Sequence, residues 1–173
     1  LDKAWERPSD CSSSSFNGQG LPYLPYAYRH PDYWNMVKKE AKEGKDFVAS
    51  RKMFDESERL HPLQEEELIK VENINGKIVF IGAKDDVLWD TTKYIQRMIE
   101  RIEEHHSNIK VSNYIYEHGT HFVFPESLLK MMLPIGSRFF VGLMFKAGKD
   151  YPEECRNTRI DIDQKLKEII NEW

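Results

Sequence analysis

Two acids and two histidines stand where a strand-and-loop pattern could bring them together. Asp85 and Asp86 follow Gly82 at the end of one apolar run, and His118-Gly119-Thr120-His121 follows a second. A carboxylate that accepts the Nδ1 proton of an imidazole fixes its tautomer and stabilises the imidazolium, leaving Nε2 to act as general base and then acid. Both groups must then project from rigid strands into one cleft. The remaining partner in such chemistry is a nucleophile on a strained strand-to-helix turn, which needs small residues two before and two after it. No Ser or Cys in this chain sits in G-x-[SC]-x-G. The acid and the histidine are present without a recognisable nucleophile.

The elements that must position these groups can be read outward from Asn75-Gly76, a turn signal. The run Lys77-Ile78-Val79-Phe80-Ile81-Gly82 reads as one fully buried strand of a parallel sheet, whose functional loop lies beyond its carboxyl end. Leu88, Ile95, Met98, Ile99 and Ile102 then share one face of a helix expected between about Val87 and His106. Asn108 to Glu117 alternates as a second strand. Upstream, Leu1 to Tyr28 reads as a loop packed by its aromatics, with a turn at Asn17-Gly18. A helix is expected over Pro31 to Lys42, another over Lys45 to Arg59 with Phe47, Val48 and Phe54 partly buried, and a short acidic one over His61 to Ile69. Downstream, Ser127 to Leu133 reads as a helix and Pro134 to Pro152 as loop with an apolar patch at Phe139 to Phe145. A closing helix is expected from about Asn157 to Trp173, with a stripe of Ile162, Leu166, Ile169, Ile170 and Trp173.

Composition bounds the function classes. With 173 residues, 40% hydrophobic and 31% charged, the chain is long enough for one sizeable core, and a single domain over 1–173 is the default. A formal charge of −4 without a basic stripe gives no reason to expect nucleic acid. No apolar run approaches membrane-spanning length, and no membrane partner is expected. Cys11 and Cys155 are too few for a disulfide framework and match no zinc spacing, so two reduced thiols in a cytoplasmic protein is the plain reading. The chain begins at Leu1 rather than Met, with a polar stretch already in progress, and is read as partial.

Ile81-Gly82-Ala83-Lys84-Asp85-Asp86-Val87-Leu88-Trp89, Tyr116-Glu117-His118-Gly119-Thr120-His121 and Asn17-Gly18-Gln19-Gly20-Leu21-Pro22-Tyr23-Leu24-Pro25 together resemble the C-terminal domain of the acyl-CoA thioester hydrolases and bile acid-CoA:amino acid N-acyltransferases. The resemblance implies an α/β fold, the C-terminal part of an α/β-hydrolase with a mostly parallel sheet, flanking helices and a helical insertion over 29–70. It implies acyl transfer from a small-molecule thioester to water or an amine, with no cofactor. In that family the acid follows the strand-ending glycine by three residues, which maps onto Asp85, and the histidine follows a glycine by two, which maps onto His121. The family's nucleophile elbow and oxyanion-hole donors lie upstream of anything present here, so the chain is expected to associate with a missing N-terminal half.

Other roles stay open for the same residues. Asp86 could orient His121 instead of Asp85, or cap the following helix. His118 could be a surface residue, or pair with His121 as H-x-x-H on a metal, for which no third ligand is recognisable and none is expected. His121 could be an ordinary loop histidine. Trp89 reads as core and Cys11 as an unreactive thiol. The competing function class is a catalytically incomplete half-fold that binds a partner through an exposed sheet edge, which requires an oligomer or a second chain. An ester or peptide hydrolase of the same fold is a further alternative.

Overall fold

A computed structural model describes residues 15–23 and 33–172. Cys11, the prolines at 25 and 31, Trp173 and most of the expected N-terminal loop lie outside the described residues. Strands β1 (Ser15–Phe16) and β2 (Gln19–Gly20) pair antiparallel around Asn17-Gly18, both at positive φ as a two-residue turn of this hand demands. Where sequence alone suggested only loop, the Asn-Gly turn closes a minimal ladder. Helix α1 (Tyr33–Gly44) is followed by an extended crossing segment and α2 (Arg51–Leu60). The expected second helix thus starts six residues late. Phe47 lies in the crossing segment, 73% exposed rather than half-buried. The expected acidic helix reduces to a single 3₁₀ turn at Glu65–Glu67, and a second such turn at Val71–Asn73 leads towards the sheet.

Strand β3 (Lys77–Ala83), helix α3 (Thr91–Glu104) and strand β4 (Lys110–Tyr116) form a strand-helix-strand unit. The strands pair parallel, from Lys77 opposite Lys110 to Ala83 opposite Tyr116, so both chains leave the sheet at the same edge. This is why the two loops carrying Asp85 and His121 end up side by side. Val71, Phe80, Ile95 and Ile102 form the buried core under α3, with Ile78, Met98, Ile99, Ile109, Val111 and Ile115 packed on it. Strand β3 is not buried throughout: only Phe80, Gly82 and Ala83 are fully covered, because among the described residues β4 is its sole partner.

After the histidine loop come α4 (Glu126–Met132), α5 (Ser137–Met144), α6 (Lys146–Asp150) and α7 (Pro152–Asn171). The 134–152 stretch is therefore helical, against the expectation of loop. Its apolar residues run consecutively without a clear 3.6 period, which hides the helix from a pattern reading. Helices α5 and α6 approach so closely that a Cβ on Gly148 would lie 2.7 Å from Val141 Cγ1 and 2.8 Å from its carbonyl oxygen. Glycine is what lets them meet. Helix α7 starts at Pro152, whose missing N–H costs nothing in the first turn. Its buried stripe is Cys155, Thr158, Arg159 and Ile162, at spacings of three and four. Ile170, expected in that stripe, is exposed. The described residues thus form a mixed α/β structure of seven α-helices around a two-stranded parallel sheet, with no single helix long and apolar enough to cross a membrane.

Candidate active site

The ladder between β3 and β4 runs one step past the strands, where the Lys84 N–H donates to the Tyr116 carbonyl at 2.9 Å. The chain then turns at Asp85 and Asp86. Asp86 is 1% exposed and its carboxylate is fully engaged. Oδ1 accepts from the Leu88 N–H at 2.9 Å, closing an Asx turn before α3, and Oδ2 accepts from the Thr91 hydroxyl at 2.6 Å. His121 Nδ1 stands 3.0 Å from Oδ2 and 3.3 Å from Oδ1. Burial alone would raise the Asp86 pKa; hydrogen bonds from His121, Thr91 and Leu88 outweigh it and hold the carboxyl below its ordinary value. An ionised Asp86 can only accept, so Nδ1 carries the proton of that contact. Among the described residues Nε2 of His121 has no hydrogen-bond partner.

Asp85 does something different. Its Oδ1 accepts from the consecutive N–H groups of Gly119, at 3.0 Å, and Thr120, at 2.8 Å, and Oδ2 lies 3.3 Å from His118 Nδ1. The His118 ring stacks on Tyr151, with centroids 3.8 Å apart and planes 10° apart. All four predicted groups therefore meet at one edge of the sheet, but in two separate pairs, Asp86 with His121 and Asp85 with His118. The family spacing pointed to Asp85 as the partner of His121. In the structure that contact belongs to Asp86, because the turn after Ala83 carries Asp85 across to the backbone of the histidine loop and Asp86 to the Nδ1 edge of the His121 ring.

The histidine loop is held from α7. The Thr158 hydroxyl donates to the His118 carbonyl at 2.6 Å. One position on, Arg159 Nε donates to Glu126 Oε2 at 2.7 Å, both side chains being buried. Ser127 donates its N–H and its hydroxyl to Asp163, at 2.8 and 2.5 Å. Both ends of the 118–127 segment are thus tied to one rigid helix. At Gly119 a Cβ would meet Val123 Cγ1 at 2.5 Å and Ala83 Cβ at 3.0 Å, so only glycine lets the loop pass this close to the strand end.

From the other side, α2 docks on the acid loop. The N–H groups of Ser50 and Arg51 donate to the Val87 carbonyl at 2.9 and 3.1 Å, the Ser50 hydroxyl donates to the Leu88 carbonyl at 2.8 Å, and Arg51 pairs with Asp90. Asp90 also caps α3 through the Lys93 N–H. Trp89, read from sequence as core, is 39% exposed and stands edge-on to His121 with centroids 4.6 Å apart, backed by Phe54. On the far side Phe122 packs among Phe124, Phe140 and Phe145. His121 is flanked by aromatic surface.

The family model described as BAAT / acyl-CoA thioester hydrolase C terminal matches residues 21–137. The chain belongs to this family. No curated protein and no solved structure matches the chain. The BAAT / acyl-CoA thioester hydrolase C-terminal match takes in both aspartates, both histidines and the two parallel strands, while α6 and α7 lie beyond it. The supports contributed by α7 were therefore invisible to any motif. Thr158 and Arg159 interrupt an otherwise apolar face with polar residues, and only the fold shows that those residues are buried.

One further residue and one alternative role read from sequence can be placed. Cys155 is buried, and burial first, then the negative charge of Asp85, push its thiol up to about 11. It is a packing residue, not a nucleophile. His118 and His121 bond to different aspartates, and among the described residues no group of three or more His, Cys, Asp or Glu is arranged to hold a metal ion.

Proposed function

We propose that this chain supplies the acid and the histidine of an acyl-transfer centre of the α/β-hydrolase type, acting on acyl thioesters. The observation that carries the reading is the Asp86–His121 pair at the carboxyl edge of a parallel sheet, with Nδ1 directed at a buried carboxylate and Nε2 without a hydrogen-bond partner among the described residues. Membership of the BAAT / acyl-CoA thioester hydrolase C-terminal family supports the substrate class.

The chemistry follows from the protonation states. Nε2 of His121 removes the proton of a serine hydroxyl or cysteine thiol as that atom attacks the thioester carbonyl. Asp86, remaining ionised, stabilises the imidazolium so formed. The tetrahedral intermediate collapses with cleavage of the carbon–sulfur bond, and the imidazolium gives its proton to the departing thiolate. Water or an amine then attacks the acyl-enzyme, His121 again taking the proton and returning it to the nucleophile. The products are a thiol and either a carboxylic acid or an amide. Because no Ser or Cys of this chain lies in G-x-[SC]-x-G, the nucleophile and the oxyanion donors come from sequence outside these 173 residues.

The test is turnover of an acyl-CoA by a form of the protein that carries a nucleophile elbow. Asp86→Asn leaves the site assembled but offers an amide in place of the charge, and should lower kcat by about four orders of magnitude, as the equivalent change does in other triads. His121→Ala should lower it at least as far. Turnover within about tenfold of the parent in either variant contradicts the assignment.

A further inference from the structure

The two neighbouring acids divide the work of placing one histidine, and Asp85 takes the less obvious half. Thr120, immediately before His121, has φ +60° and is fully buried. A β-branched residue in the left-handed region costs on the order of 1–3 kcal/mol unless its surroundings impose that conformation. Here the same turn presents the consecutive N–H groups of Gly119 and Thr120 to one point, the kind of concavity that takes an anion. Asp85 Oδ1 fills it, at 3.0 and 2.8 Å. The Thr120 hydroxyl adds to the turn by accepting from the Phe122 N–H at 3.1 Å, so the residues on both sides of His121 are fixed.

Asp85 is held in turn by structure outside the loop. Its Oδ2 faces His118, whose ring is stacked on Tyr151 and whose carbonyl is bonded to Thr158. Asp85 and Asp86 are joined by one peptide at the end of β3. A shift of the histidine loop relative to β3 that changes the distance between Asp86 and the ring therefore also strains the Asp85 bonds to the loop backbone.

Resting on the acyl-transfer reading above, we propose that Asp85 is a positioning residue for His121: it straps the left-handed turn at Gly119 and Thr120 to the end of β3, so that the imidazole is presented to Asp86 in one geometry. What the strap needs is an acceptor oxygen, not a charge. This separates it from Asp86 and makes a conservative variant informative. In Asp85→Asn the side-chain carbonyl still accepts from both N–H groups. In Asp85→Ala both buried donors lose their partner.

The experiment uses the full 173-residue chain and follows two quantities by NMR: hydrogen exchange of the Gly119 and Thr120 amides, and the Nδ1–H tautomer of the His121 imidazole. In Asp85→Ala the two amides should lose protection by at least about tenfold and the Nδ1–H tautomer should cease to dominate. In Asp85→Asn protection should stay within about threefold of the parent, with the tautomer retained. If Asp85→Ala does not fold, Asp85→Ser, with an oxygen one carbon nearer the backbone, replaces it with the same expectation. Unchanged amides and tautomer in the Ala or Ser variant overturn the proposal. So does an Asn variant as disturbed as the Ala one, which would make the charge the essential feature. Asp86→Asn, measured alongside, keeps the readings apart: if it leaves His121 unaltered, the acyl-transfer reading fails, whereas the strap is judged from the amides and the tautomer in Asp85→Ala against Asp85→Asn.

Discussion

Asp86 lies at the Nδ1 edge of the His121 ring, and its Oδ2 approaches Nδ1 at 3.0 Å while the same carboxylate accepts from Thr91 and from the Leu88 N–H. The three donors do more than satisfy a buried charge. Thr91 and the Leu88 N–H fix the carboxylate plane from the start of α3, so the imidazole meets a group that cannot rotate away. An acid held by its own helix start and a histidine held by α7 are thereby joined across the edge of a parallel sheet.

Acid should weaken the fold through Asp86 in a defined window. Its folded pKa lies below its unfolded value of about 3.9, so the stabilisation is complete well above that value and is lost as pH falls through it to the folded one. The free energy of unfolding, measured by urea denaturation between about pH 6 and pH 2, should fall more steeply for the parent than for Asp86→Asn below about pH 5. Parallel curves would show that the carboxylate contributes nothing through its charge.

Much of this arrangement was legible in the sequence. The strand through Ile78 to Ile81, though not its full burial, the acids after Gly82, the α3 stripe and the Gly-x-His were each read from periodicity and punctuation, and the strands fell within a residue or two of their expected bounds. The choice between Asp85 and Asp86 was not legible. Adjacent acids have the same composition and differ only in where a two-residue turn aims them, which depends on Thr91, Leu88 and the approach of the histidine loop from a strand paired through space. The supports on α7 were hidden for a similar reason. Thr158 and Arg159 are polar letters on a face that a hydrophobic pattern reads as interrupted. Phe139 to Phe145 failed the other way, being apolar all round.

Arg159 and Glu126 form a buried pair whose loss should be felt as stability. Arg159 is 1% exposed, and among the described residues its Nη1 has no hydrogen-bond partner, so the Nε bond to Glu126 carries the pairing. Arg159→Ala leaves a buried carboxylate with only Arg156 and Lys130 nearby, at 3.7 and 3.9 Å, and should cost about 3 kcal/mol or more in urea denaturation. Glu126→Gln with Arg159→Met, which removes both charges while keeping volume, should recover much of that loss. A double variant as unstable as Arg159→Ala would mean that packing, not the stranded charge, sets the cost.

Cys155 should be chemically silent in the native protein. With its thiol buried and raised to about 11, little thiolate forms near neutral pH and reagents cannot reach it. Iodoacetamide at pH 7.5 followed by peptide mass spectrometry should leave Cys155 unmodified until denaturant is added. Rapid native labelling would place it at an open surface and contradict its role in packing.

His121 is held with Nδ1–H on Asp86, leaving Nε2 without a partner among the described residues. Long-range proton–nitrogen NMR of the histidine side chains at alkaline pH reads this directly. The Nδ1–H tautomer should dominate at His121 and lose that dominance in Asp86→Asn. A dominant Nε2–H tautomer, or a His121 spectrum indifferent to Asp86, would contradict it.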